Sequence, residues 1–180
     1  MEAGFFNLSN HVDSALALLN VKPDIFLITV NTMSKEKLSR ILLSVVIVNT
    51  AVVSVAVDWN ASHIFNPTWV PHARFHDVVM LWLLSSLSVI ALWLLWRRSA
   101  EPQVSTTVAT LVPVLFWAPF FFTTLLVPGT SLSAMPNEPL PAIAGITIYP
   151  NVVIATINEI LAAIGYWLYR SYQKTSIKGI

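Results

Sequence analysis

The sequence predicts an all-α integral membrane protein: a bundle of four transmembrane helices, preceded by a short interfacial helix and carrying two structured outer loops. Three observations lead there. Of the 180 residues, 56% are hydrophobic and only 11% charged, with a mean hydropathy of +0.70, whereas soluble domains carry about 25% charged residues. Four apolar stretches approach or exceed the roughly 20 helical residues needed to cross a hydrocarbon core. Nine of the ten Lys and Arg residues fall on one side of those stretches, and only Arg74 falls on the other. The whole chain, 1–180, reads as a single transmembrane domain. Its net charge of +1 gives no footing for nucleic acid, and the absence of cysteine excludes disulfides, thiolate metal sites and a cysteine nucleophile.

Residues 1–40 read as a cytoplasmic or interfacial segment. They lack a basic leader, and Asn20, Lys22, Pro23 and Asp24 interrupt the apolar runs, so no secretory signal peptide is expected. Residues 11–20 suit a short amphipathic helix lying on the membrane, and 25–30 are too few to span it. The four spans are expected at about 41–57, 78–96, 104–127 and 151–169, the third kinked by Pro113 and Pro119. Lys35, Lys37 and Arg40 precede the first span, Arg97 and Arg98 follow the second, and Arg170, Lys174 and Lys178 follow the fourth. The positive-inside rule then places both termini in the cytoplasm, in a eukaryotic cell at the endoplasmic reticulum membrane. Asn7 and Asn60 begin Asn-x-Ser sequons, but one is expected in the cytoplasm and the other against the membrane, so neither is expected to carry glycan. The second outer connection holds Pro128, Pro136, Pro139, Pro141 and Pro150, a density that precludes a regular helix and predicts a stiff, irregular cap.

The first outer connection, 58–77, concentrates the polar chemistry: Asp58, Asn60, His63, Asn66, His72, Arg74, His76 and Asp77, with Trp59, Trp69 and Phe75 among them. Beside a membrane each ionisable group is partly desolvated and needs partners. His72 and His76 share a helix face, with Asp77 next in sequence and Pro71 suited to the first turn of that helix. Three readings fit: a two-His-one-carboxylate metal site, an acid–base site tuned by burial, or a hydrogen-bonded knot that closes the bundle. Arg74 is expected to pair with Asp58 or Asp77.

Glu159 lies about eleven residues, or roughly 16 Å, from the inner end of the fourth span. Carboxyls at that depth are costly and are functional candidates by default; in its neutral form such a group donates a proton. Ala155, Ala162, Ala163 and Tyr166 leave space beside it. The plainer role is a helix clamp bonded to Asn49 or a serine. Thr50, Ser54 and Asp58 line one face of the first span, and Asn49, Ser85, Ser86 and Trp117 fall near the level of Glu159. Together they predict an apolar cavity open toward the outer loop. Trp59, Trp69, Trp93, Trp96 and Trp167 suit the interfacial belts, leaving Trp82 and Trp117 as the deeper ligand contacts.

The run Asp58-Trp59-Asn60, His63, Phe65-Asn66-Pro67-x-Trp69-x-Pro71-His72-Ala73-Arg74-Phe75-His76 resembles the signature of a small family of four-span membrane proteins. Some fungal relatives of that family resemble the transmembrane terpene cyclases of meroterpenoid pathways, of the ascofuranone type. The resemblance covers about twenty residues; beyond them span number and length agree. It implies a lipophilic, prenylated substrate within the bilayer and no cofactor. An epoxide or alkene would be protonated, and the cation quenched by an internal nucleophile or proton loss. Asp58, Asp77 and Glu159 are then the donor candidates, His72 or His76 the reprotonating group or final base, and Arg74 the group that fixes a donor's protonation state. Asn60, His63, Asn66, Trp69, Phe75, Trp82, Trp117 and Tyr166 are the expected substrate contacts. A sterol or lipid isomerase or lipophilic-ligand binder of emopamil-binding-protein type is the alternative, with a proton-coupled carrier or assembly subunit as a third; a homo-oligomer is compatible with all three.

Overall fold

A computed structural model describes residues 34–133 and 139–178. The interfacial helix expected at 11–20 lies outside the described residues. Helix α1 spans Lys35–Asp58, α2 Pro71–Trp96 and α3 Pro102–Trp117. A 3-10 turn follows at Ala118–Phe121, then the one-turn helix α4 at Thr123–Leu126. Strands β1 (Ala142–Ile143) and β2 (Ile146–Thr147) precede the long helix α5, Pro150–Lys178. Four helical segments are long and apolar enough to cross a membrane: Lys35–Asp58, Pro71–Trp96, Pro102–Phe121 and Pro150–Thr175. The chain is a multi-pass, all-α membrane bundle.

Helix boundaries follow from local chemistry. The Ser34 side chain accepts the Lys37 amide at 3.2 Å to cap α1, and Glu36 receives Arg40 at 2.7 Å one turn on. Helices α2, α3 and α5 each begin on a proline, where the missing N–H costs nothing and φ is already helical. Pro113 sits fully buried inside an uninterrupted α3; it is at Ala118–Pro119 that the helix tightens to 3-10. The third span therefore ends at Phe121, a little short of the expected 127.

Helix α1 packs most extensively on α5, then α2 on α3, α1 on α2 and α3 on α5. The α1–α5 seam is close because Gly165 has no side chain: a Cβ there would lie 2.9 Å from Cγ and Cδ2 of Leu43. Beside it the Ser39 hydroxyl donates to the Gly165 carbonyl at 2.6 Å. Leu43, Ile47, Ala91, Leu95 and Ala109 form the core, while large apolar side chains such as Val52, Trp82, Val89, Leu115 and Trp167 face outward, as expected where the solvent is lipid.

The second outer connection contains a hairpin where an irregular cap was expected. Ala142 pairs with Thr147 and Ile143 with Ile146, and the two turn residues, Ala144 and Gly145, have φ of +51° and +81°. Positive φ at both positions is the type I′ geometry that matches strand twist. Asn151 ties the segment to α5 by donating to the Leu132 carbonyl at 2.8 Å.

Candidate functional site

Helices α1 and α2 contain 24 and 26 residues, which at 1.5 Å each is about 36–39 Å, longer than the roughly 30 Å hydrocarbon core. Their apolar stretches are 41–57 and 78–96, so Asp58, at the end of α1, and Asp77, in the second turn of α2, lie just outside them at one mouth of the bundle. The connection 59–70 folds over this mouth.

The loop builds itself around two asparagines. Asn60 donates through its amide nitrogen to the Val57 carbonyl, which fixes which end of the amide is oxygen. That oxygen accepts both the Ser62 backbone N–H (2.7 Å) and the Ser62 hydroxyl (2.6 Å). With its only proton committed to Asn60, the Ser62 hydroxyl must accept from His63 Nδ1, 2.8 Å away. His63 is thereby held with hydrogen on Nδ1, and its Nε2 stands 3.7 Å from Asp58 Oδ1. Trp69 packs edge-on against the imidazole at 5.6 Å between centroids. Asn66 repeats the device, donating to the Ser62 carbonyl and accepting from the Thr68 amide and hydroxyl.

Asp58 stands against this imidazole, and Asp77 lies within its electrostatic reach. Burial pushes the Asp58 carboxyl above its usual range, the neighbouring Asp77 charge pushes it further, and His63 opposes both. Burial likewise raises Asp77, again opposed by His63, and Asp77 Oδ2 is enclosed without a hydrogen-bond partner. The result is a pair of carboxyls raised by burial, with an imidazole near them whose Nδ1 hydrogen the loop orients.

Arg74 does not pair with either carboxylate, contrary to expectation. From the first turn of α2 its guanidinium reaches back and donates to the Asn66 carbonyl, and its Nε is buried without a partner. A loop carbonyl that no helix satisfies has captured it. Among the described residues, the only acid–base contacts within 4.0 Å are Arg40–Glu36 and His63–Asp58, the latter an ion pair only when His63 is protonated.

A family model matches residues 42–176, which takes in the mouth and the greater part of each of the four spans. The chain belongs to the family of unknown function DUF6640. No curated protein and no solved structure matches it.

In this DUF6640 member the remaining predicted residues are dispersed. His72 and His76 are exposed and bond to one another, Nε2 to Nε2 at 3.0 Å, with Phe75 stacked on His72. Among the described residues no group of three or more His, Asp or Glu is arranged to hold a metal ion. Trp82 is 70% exposed on the bilayer side of α2. Trp117 is 3% exposed and donates to the Thr50 hydroxyl at 2.9 Å. Tyr166 meets the Thr107 hydroxyl at 3.0 Å, near the opposite mouth. Glu159 stands mid-span with Oε1 buried and unpartnered, and it is its neighbour Asn158 that takes the Asn49 amide, at 2.9 Å. The polar groups expected to line a cavity around Glu159 are thus partly spent on helix–helix bonds. A cavity of about 430 Å³ lies instead between α2 and α3, lined by residues including Met80, Leu84, Leu87, Val108, Leu111 and Phe116. Another, of about 510 Å³, lies near the opposite mouth around Glu101, Thr107 and Gln173.

Ser62 and Asn158 were not singled out by sequence reasoning. Ser62 was visible as the third residue of an Asn-x-Ser sequon, and Asn158 as a second polar residue beside Glu159 in an apolar span.

Proposed function

We propose that this protein is a redox-neutral proton-transfer enzyme of the terpene cyclase kind, acting on a prenylated, bilayer-dissolved substrate. The observation that carries the reading is the juxtaposition of Asp58 and Asp77 with His63, whose tautomer the Asn60–Ser62 chain fixes. A neutral carboxyl is the acid needed to protonate an alkene or epoxide, and the imidazole lone pair is the base needed to take a proton back. The third-group orientation of the base is the arrangement found where catalysis depends on one tautomer. The aromatic faces of Trp69, Trp59 and Phe65 tolerate developing positive charge. In this reading both chain termini are cytoplasmic, the mouth faces the opposite compartment, and no cofactor takes part.

The test is product analysis in membranes expressing the protein, supplied with a farnesylated phenol and its terminal epoxide. A cyclised product of unchanged mass is expected, reduced at least about 100-fold by Asp77→Asn and by His63→Ala, the scale on which general acid–base groups act. Full turnover in Asp58→Asn, Asp77→Asn and His63→Ala alike would refute the reading.

The partnerless Glu159 oxygen favours a second reading, a lipid isomerase or lipophilic-ligand binder that holds an amine at mid-membrane. It requires tight binding of a cationic amphiphile that Glu159→Gln abolishes.

A further inference from the structure

The α2–α3 cavity and the carboxyl mouth are consecutive. Met80 and Leu84 stand three and seven residues after Asp77, so this edge of the groove begins one turn below the acid, while Leu83 and Leu87 turn the rest of it toward the bilayer. From Met80 to Leu87 it descends seven residues, about 10 Å, into the bilayer. Helix α3 runs antiparallel alongside, with Leu115 and Phe116 at the upper end and Val108 at the lower. No polar side chain lines it, so a headgroup would leave its hydrogen bonds unmade there. Its character changes with height: aliphatic below, then Phe116, whose ring packs on Trp117 at 4.9 Å and Phe120 at 6.0 Å, and above that Asp77.

We propose that the α2–α3 groove holds the hydrocarbon tail of an amphiphilic substrate, chain end downward, so that the reacting alkene is the one next to the polar head and not the one at the far end of the chain. This rests on the proton-transfer reading above and narrows its substrate class to an amphiphile bearing a hydroxyl beside its first prenyl double bond. The step balances without oxidant or reductant. The neutral Asp77 carboxyl transfers its proton to the alkene, forming a C–H bond and leaving a tertiary cation. The head's hydroxyl oxygen attacks that cation, a C–O bond forms and the O–H bond breaks. The released proton passes to His63 Nε2 and back to a carboxylate. A substrate protonated at its chain terminus would have to lie the other way, with its polar head among Leu84, Leu87 and Val108.

The experiment uses the full chain in lipid nanodiscs and a farnesylated hydroquinone with a diazirine in its last isoprene unit. Photolabel is expected on residues 83–87 and 108–112, reduced severalfold by excess unlabelled farnesylated hydroquinone. Leu84→Trp should reduce it severalfold, and so should Leu111→Trp, which fills the groove from its exposed side without entering the core. Any product should carry the new ring at the head end. Competed label on residues 59–77, or label in the groove that competitor and both tryptophans leave unchanged, would overturn the inference. Because labelling needs no turnover, the two proposals fail separately: competed groove label without product removes the enzyme and keeps the groove, whereas terminal ring closure with label at 59–77 keeps the enzyme and removes the groove assignment.

Discussion

Asp58 and Asp77 are held in a place that suits their protonated forms, and that has a sign in solution. Both carboxyls start from an ordinary value of 3.8 and are raised by burial. Their contribution to stability is therefore complete below about pH 3.8 and is lost as pH climbs through the raised folded values. Asp77→Asn, which never ionises, should melt at a higher temperature than the wild type at neutral pH, with the gap closing below pH 3.8, while turnover falls. Loss of both stability and turnover would mark Asp77 as a strut and not an acid. At this scale the two buried carboxyls were legible as candidates because a connector crowded with ionisable groups beside a membrane has few mundane uses. Their base was less legible. Sequence reasoning gave that role to His72 and His76, four apart on a helix; those two are exposed and bond to each other, and the base proposed here, His63, was placed among the substrate contacts. The selection of His63 depends on Ser62 having one proton and two neighbours, which spacing does not encode. The capture of Arg74 by the Asn66 carbonyl was hidden likewise, since it required knowing which loop carbonyl the fold leaves unpaired.

The helix pair α1–α5 is set by a glycine and two polar bridges. Gly165→Ala should destabilise the bundle by about 1–3 kcal/mol, the usual cost of overpacking, because Leu43 is fully buried and its Cγ stands 2.9 Å from the new methyl. Asn49→Ala and Asn158→Ala should couple in a double-mutant cycle by about 0.6 kcal/mol, the average for hydrogen bonds inside membranes, measured by reversible unfolding in mixed micelles. Additivity would show that the 2.9 Å contact contributes nothing. Among the elements, the spans were legible and their ends less so. Pro119, expected to kink the third span, marks the point where its α-helix gives way, while the buried Pro113 leaves the helix unbroken. The hairpin at 142–147 escaped notice because each strand has only two residues and Ala144-Gly145 is a weak turn signal among prolines.

For the molecule as a whole, composition was a sufficient guide. A chain with this little charge and four long apolar stretches has no folded alternative to a helical bundle in lipid, since backbone polar groups there must be satisfied within each segment. What composition left open was where the space lies. Sequence reasoning put it around Glu159, on the assumption that polar groups at one depth face one cavity. The bundle instead turns Asn158 inward to Asn49 and Thr50 toward Trp117, and leaves room between α2 and α3.

Those two sideways bonds have an electrical consequence. A proton crossing a membrane needs a ladder of exchangeable groups stacked along the normal, and here the rungs at mid-depth are tied to one another across it. Below the mouth, among the described residues, Glu159 and Ser88 each present a buried oxygen that no side chain or backbone group bonds. Liposomes containing the protein should hold a pH gradient as long as empty ones do, read with an enclosed pH dye, and collapse of the gradient would revive the carrier reading. On the proposed reading, protons are exchanged at one surface while the membrane around the bundle stays an insulator.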